Sequence, residues 1–309
     1  MRKEPVMKFF PLRQCLLLAL ACTAGCAGGG GDSGAMSSNP YPPINSVTSS
    51  TTLSVVSSNV TFDNPTTRLT AAGGTVGISA NGNGAAITSM SLNVAGASGV
   101  SFQQTFNSFT PELDSQGATV LYVASVTASD GSVRQVLFAN PGHPLFSLTY
   151  TTFGFWEYDA SAIATSGVGG AFATGVATRT NDLPTTGTAN YSGGLIGRYA
   201  DGTTSWAVTA GASSMANFGT GTLSLTTSNS FRAPVSGGPA VADNSLNLSG
   251  ALLFPPGTNQ LSGTLTSTGG MTGPASAKFF GPGAQELGGA FFVTNGGSQQ
   301  MTGAFGLHR

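Results

Sequence analysis

The chain has 309 residues, with 45 glycines, 11 Lys+Arg and 12 Asp+Glu. Charged residues make up 7%, about a third of the usual share, too few for long amphipathic helices or coiled coils, and a formal net charge of −1 leaves no basic footprint for nucleic acid. Hydrophobic residues still reach 40%, enough for a buried core, and the Gly, Ser, Thr and Asn that replace the missing charge suit strands and turns.

The chain opens with a positively charged region (Arg2, Lys3, Lys8 and Arg13) followed by an apolar run at 16–21. That run falls well short of the ~20 apolar residues a membrane-spanning helix requires, so it reads as a secretory signal over residues 1–25. All the cysteines lie here, at Cys15, Cys22 and Cys26, which leaves no disulfide or thiolate metal site for the body of the chain. Thr23-Ala24-Gly25-Cys26 resembles a bacterial lipobox, with Cys26 as the lipid attachment site and Cys22 as the alternative; Thr23 stands where leucine is usual. Ala27 and Gly28 replace the aspartate of an inner-membrane retention signal, so the expected address is the outer membrane. Cleavage before Cys26 leaves seven basic and eleven acidic residues, a net charge of −4. Residues 26–50, rich in Gly, Ser, Asn and Pro, read as a lipidated flexible tether.

Strand and turn patterning follows throughout. Period-2 alternation predicts strands at 52–62, 86–94, 118–126 and 133–138, with Asp130-Gly131 as a tight hairpin whose two central residues both take positive φ. Asn140-Pro141-Gly142-His143-Pro144 marks a domain boundary, giving a β-rich first domain at 51–145 and a second at 146–309. In the second, strands are predicted at 147–159, 169–178, 187–199, 203–210, 219–227, 245–253, 260–266, 289–294 and 301–307, with Asp201-Gly202 as another hairpin. Short antiparallel strands at this spacing call for a barrel or a sandwich. Glycines within them (Gly193, Gly194, Gly197, Gly219, Gly221, Gly250, Gly263 and Gly303) favour a closed barrel, where sharp bends and a crowded interior need small residues. The fold class expected is all-β, with the barrel closed by eight antiparallel strands.

One segment breaks the alternation. Pro282 is suited to the first position of a helix, Ala284 to Leu287 favour helix, and Gly288-Gly289 stop it, which predicts a single helical turn between two strands. Glu286 reads as a structural anchor accepting backbone N–H bonds rather than as a catalytic acid. The stretch FFGPGAQELGGAFF, followed by GAFG, resembles the closing signature of the transferrin-binding protein B type β-barrel. Phe279, Phe280, Gly281, Pro282, Ala284, Glu286, Leu287, Gly288, Gly289, Phe291, Gly303, Ala304, Phe305 and Gly306 carry the match, and residues 183–193 resemble the strand that opens such barrels. The resemblance covers residues 146–309 and implies a lipid-anchored surface protein: a handle-like domain followed by an eight-stranded barrel. It further implies binding of a protein ligand and no catalysis, family members being binders of transferrin, lactoferrin, haemoglobin or complement factor H. This chain has one handle–barrel lobe rather than two and is poorer in charge, and no ligand-binding residue carries over.

Little else points to chemistry. His143 and His308 stand apart, outside any metal-ligand spacing, and no cofactor or metal is expected. Glu157 and Asp159 share a strand face but read as solvated rim acids. There is no nucleophile elbow and no P-loop. Tyr150, Tyr158, Tyr191 and Tyr199 read as barrel and rim packing. The recognition candidates are Trp156 and Tyr158 near the barrel's first rim, Trp206 after a turn, and Phe231-Arg232 in a long loop. The expected protein faces the cell exterior from the outer membrane and binds a macromolecule, with a host or environmental iron carrier as one candidate. The alternatives are a porin-like embedded barrel and a periplasmic small-ligand-binding or structural lipoprotein.

Overall fold

The computed structural model describes residues 40–63, 68–159 and 166–309; Cys22, Cys26 and the leader lie outside the described residues. Ten strands come first: β1 (Ser54–Asp63), β2 (Arg68–Ala72), β3 (Thr75–Gly82), β4 (Ile87–Ala97), β5 (Val100–Phe106), β6 (Thr110–Leu113), β7 (Thr119–Thr127), β8 (Val133–Ala139), β9 (Thr151–Asp159) and β10 (Ser166–Gly175). Seven of them form one sheet in the order β2-β1-β10-β9-β8-β7-β6, and β3-β4-β5 form a second. Met90, Leu92, Val94, Phe102 and Phe106 of the small sheet pack on Phe138, Trp156 and Phe172 of the large one. The other face of the large sheet, with Leu137, Phe153, Phe155 and Ala171, packs on the barrel. A sheet covered on both sides needs apolar residues on both sides, and β9 is buried continuously from Thr151 to Trp156.

Nine more strands complete the chain: β11 (Thr188–Ala200), β12 (Ser205–Asn217), β13 (Thr222–Pro234), β14 (Val241–Ala242), β15 (Leu248–Leu253), β16 (Leu261–Ser267), β17 (Thr272–Phe280), β18 (Glu286–Thr294) and β19 (Gln300–His308). All but β14 make a closed antiparallel barrel of eight strands, sealed where β19 pairs with β11 from Ser192↔His308 to Ala200↔Gln300. β14 is a short flap on β13. Side chains fill the interior, among them Tyr191, Leu195, Tyr199, Leu225, Leu265, Phe279, Phe291 and Phe305. Interior glycines make that possible: a Cβ on Gly303 would stand 2.5 Å from the Phe291 ring, and one on Gly250 would stand 2.9 Å from Leu265. Most outward residues of β12, β13, β15 and β16 are short, polar and exposed (Ser213, Ser224, Thr226, Ser249, Ser262 and Thr264), interrupted by exposed Met215 on β12 and Leu253 on β15.

The strand pairing corrects several expectations. The segments 147–159 and 169–178, assigned to the barrel, supply β9 and β10, which pair with β8 and β1 in the first sheet. Local alternation does not reveal that Ser54 pairs with Gly175. The tether reading of 26–50 extends too far: Tyr41, Ile44 and Val47 are fully buried in the first domain, and the Ile44 N–H bonds the Thr149 carbonyl. Three apolar residues among prolines and asparagines have no period to betray them.

Local geometry brings further corrections. In both Asp-Gly turns only the glycine takes positive φ, Gly131 at 82° and Gly202 at 86°. Each aspartate keeps ordinary φ because its own carboxylate holds the next residues, Asp130 accepting the Ser132 N–H and Asp201 those of Thr203 and Thr204. Gly219 and Gly221 sit in or beside the β12–β13 turn rather than mid-strand. Phe231 and Arg232 belong to β13, not to a loop. The helical turn is a single 3-10 turn at Pro282–Ala284; Glu286 through Gly289 already pair in β18, so Gly288 and Gly289 do not act as a stop.

Candidate binding surface

The signature residues join the barrel to the first domain. Phe279 closes one barrel end, its ring 5.4 Å from both Phe218 and Phe254 and 6.0 Å from Tyr191. Gly281 lies flat against the Tyr150 ring, where a side chain would collide, and Pro282 follows it in the turn. Leu287 and Phe305 point into the core, and a Cβ on Gly289 would strike Phe305. Gly288 faces outward instead, with room for a Cβ only 3.0 Å from Ala173. Gly194 and Gly306 do the same opposite Phe146 and Phe153. These glycines, with Ala290 and Ala304, make a smooth barrel face on which the first domain's aromatic side chains rest.

Glu286 is 3% exposed, and its carboxylate accepts backbone N–H bonds from Thr149 at 2.5 Å, Tyr150 at 3.0 Å and Thr151 at 2.9 Å. Burial pushes its pKa up and the three N–H bonds pull it down, leaving it at about 7. Asn259 adds a second stitch, donating to the Thr178 and Phe279 carbonyls and accepting the Phe279 N–H. Beyond them Arg198 bonds Glu157 at 2.6 Å, with its guanidinium 4.6 Å from the Phe62 ring. Sequence reasoning singled out neither Arg198 nor Asn259, since neither stands in a recognisable motif.

At the opposite barrel end a polar aromatic cluster forms. Trp206 follows the Asp201-Gly202 turn and donates its indole N–H to Asp201 at 2.9 Å. The Arg232 guanidinium lies 4.2 Å from the Trp206 ring and 5.9 Å from that of Tyr199, and it pairs with Asp243 at 3.0 Å. Burial works to raise the Asp201 carboxyl, but hydrogen bonds from Thr203, Thr204 and Trp206 outweigh it and hold it at about 2. Val241, 45% exposed, pairs with Arg232 across the β14 flap. A fixed Trp–Arg pair beside an exposed aliphatic side chain is the composition of an interface anchor.

The other candidates fall elsewhere. Trp156 and Tyr158 do not reach the barrel rim: both pack on Phe102 within the first domain, with ring centroids 5.9 and 5.4 Å away. Glu157 is the Arg198 partner rather than a free rim acid. His143 is buried against Asp114 at 3.1 Å, and His308 lies at the end of β19, far along the chain. Among the described residues no group of three or more His, Cys, Asp or Glu could hold a metal ion, and no helix is long and apolar enough to cross a membrane. Tyr191 donates to the Ala284 carbonyl at 2.7 Å, holding the signature turn.

The fold and its seam define a handle-plus-barrel lobe with a filled barrel. Residues 183–309 match the family described as C-lobe and N-lobe β-barrels of Tf-binding protein B. Among solved structures, a double mutant of the vaccine antigen transferrin-binding protein B from Haemophilus parasuis Hp5 is 16% identical, with a TM-score of 0.50 over 82% of this chain and 44% of that one. Isotype 1 transferrin-binding protein B from serogroup B Neisseria meningitidis is 15% identical, with a TM-score of 0.40 over 78% of this chain and 53% of that one. The chain thus spans about half the length of these proteins. No curated protein is similar enough to count as a match.

Proposed function

We propose that this chain is a lipid-anchored lobe displayed on the outer membrane, where it captures a macromolecular ligand and performs no catalysis. The observation that carries the reading is the filled barrel. Its interior holds Phe279, Phe291, Phe305 and their neighbours and leaves no lumen for a solute, so recognition falls to the outer rims. The Trp206–Arg232 cluster, preset by Asp201 and Asp243, is the favoured contact point. The lipobox at Cys26 supports the anchor. The names of the H. parasuis and N. meningitidis proteins state that they bind transferrin, which supports an iron-carrier protein as the ligand class. The outward Ser and Thr residues of the barrel strands oppose the apolar band that a lipid-embedded barrel presents.

Affinity capture with the full chain tests this reading, using transferrin, lactoferrin, haemoglobin and whole serum as baits and mass spectrometry as readout. Retention of one protein, lost in Trp206→Ala, is expected. Failure to retain any macromolecule, or retention indifferent to the rim, overturns it.

A further inference from the structure

A second surface feature lies at the other barrel end, away from the Trp206 cluster. The start of β1, the linker from Ala177 to Thr180, the β15–β16 loop and the outer face of β17 enclose a cleft of about 790 Å³. Arg179 and Lys278 both line it. Cations are scarce in this chain and mostly committed: Arg134 pairs with Asp130, Arg198 with Glu157 and Arg232 with Asp243, while Arg309 donates to the Gly283 carbonyl. Among the described residues, neither Arg179 nor Lys278 has a carboxylate within ion-pair distance, and no acid lines the cleft. Two cations without a carboxylate partner in ion-pair distance therefore share one concavity, with Asp182 held close by on the Tyr41 hydroxyl, in a body whose net charge is −4 after cleavage at Cys26.

The walls are built in advance. Asn259 ties the loop to Thr178 and Phe279, the Thr178 hydroxyl bonds the Gly281 carbonyl at 2.6 Å, and the Arg179 guanidinium rests 5.7 Å from the Tyr41 ring. The remaining lining is Ser, Thr, Asn and Gln together with the small apolar residues Ala177, Pro255 and Gly257, with no aromatic or large aliphatic side chain. A protein anchor buries just such groups, so this surface suits a ligand that is anionic, rich in hydroxyls and without an apolar body.

We propose that the cleft binds an acidic saccharide, its carboxylate or sulfate taken by Arg179 and Lys278 and its ring hydroxyls by Ser54, Thr180, Gln260 and Ser262. The proposal is independent of the capture reading, since it uses different residues at the opposite barrel end. Calorimetric titration of the full chain tests it with trigalacturonate, a sulfated heparin tetrasaccharide, neutral maltotriose, a hexaglutamate peptide and inorganic sulfate. At least one acidic saccharide is expected to bind, to weaken as salt is raised, and to lose affinity by about tenfold or more in the Arg179→Gln, Lys278→Gln double variant. Both side chains reach the surface, so the variant is expected to melt like the parent, which separates lost binding from lost fold. Four results overturn the proposal: neither acidic saccharide binds, maltotriose binds equally well, the double variant binds unchanged, or the peptide or sulfate alone binds as tightly as the saccharide.

Discussion

The Glu286 carboxylate accepts the Thr151 backbone N–H at 2.9 Å across 135 residues of sequence, tying the first strand of the barrel's closing hairpin to the strand that carries Phe153 and Trp156. Thr149 and Tyr150 donate to the same carboxylate. Replacing Glu286 with alanine leaves three donors without their partner, and each buried unsatisfied group costs about 1–3 kcal/mol. Glu286→Ala is therefore expected to lower the unfolding free energy by about 3 kcal/mol or more, measured by urea titration.

The same group sets a pH dependence. Its folded pKa, about 7, lies above the ordinary 4.5, chiefly because burial penalises the charge. Its stabilising contribution is complete below pH 4.5 and is lost as pH rises through 7. Glu286→Gln cannot titrate, so the difference in melting temperature between parent and variant should change across that window and flatten on either side. A constant difference from pH 4 to 8 would contradict the buried-carboxyl account.

Arg198 and Glu157 clamp the other end of the seam, with side chains only 14% and 16% exposed. Removing one partner of such a pair strands the other's charge, at a cost of about 3–5 kcal/mol, whereas replacing both with apolar residues is far milder. Arg198→Met should therefore destabilise strongly, and the Arg198→Met, Glu157→Leu double variant should recover much of the loss. Chemical denaturation of the four proteins in a double-mutant cycle gives the coupling.

The middle of the seam depends on the absence of side chains. A Cβ on Gly306 would run into the Phe153 ring and meet Leu148 at 3.0 Å. Gly306→Ala is expected to cost about 1–3 kcal/mol by overpacking. Adding Phe153→Leu, which withdraws the ring, should restore part of it. Limited proteolysis of the linker at 176–187 should quicken in Gly306→Ala and slow again in the pair.

How legible these features were in sequence differs from residue to residue. The closing signature could be read because it is long and contiguous, although its residues act on distant partners: Glu286 on Thr149 to Thr151, Gly281 on Tyr150 and Phe279 on Phe218 and Phe254. The Gly194–Gly288–Gly306 face could not, because a glycine in a strand announces only that something comes close. An interior neighbour such as Phe305 beside Gly289 comes from the adjacent hairpin strand, whereas an exterior one such as Phe153 against Gly306 comes from another sheet far away in the chain. The boundary at 145 misled for a related reason. Two prolines mark a turn in the chain, yet the sheet continues through β9 and β10 by pairing back to β1. The Trp206–Arg232 contact was half visible, as two residues singled out separately, and hidden as a pair, because it depends on the β12–β13 register that sets Trp206 opposite Pro234 and Val208 opposite Arg232.

At the rim, Trp206→Ala removes both the ring under Arg232 and the donor to Asp201. Anchors of this type account for about 2 kcal/mol or more of binding, equivalent to roughly a thirtyfold loss of affinity. Surface plasmon resonance against the captured ligand should show that loss mainly as faster dissociation. Val241→Asp, on the exposed flap, should weaken binding without altering the melting temperature.

The outward face of the barrel offers a further test, made clean because the chain has no cysteine beyond Cys26. Thr264 points outward and is exposed, while Leu265 beside it is fully buried in the core. A water-soluble maleimide should label Thr264→Cys rapidly in the absence of detergent and leave Leu265→Cys unmodified until the protein is unfolded. On intact cells, labelling of Thr264→Cys is expected if the lobe stands outside the outer membrane. Protection that ends when the outer membrane is permeabilised would place the lobe in the periplasm. Protection that ends only with detergent would mean that lipid covers this face, contrary to the hydroxyl surface its strands present.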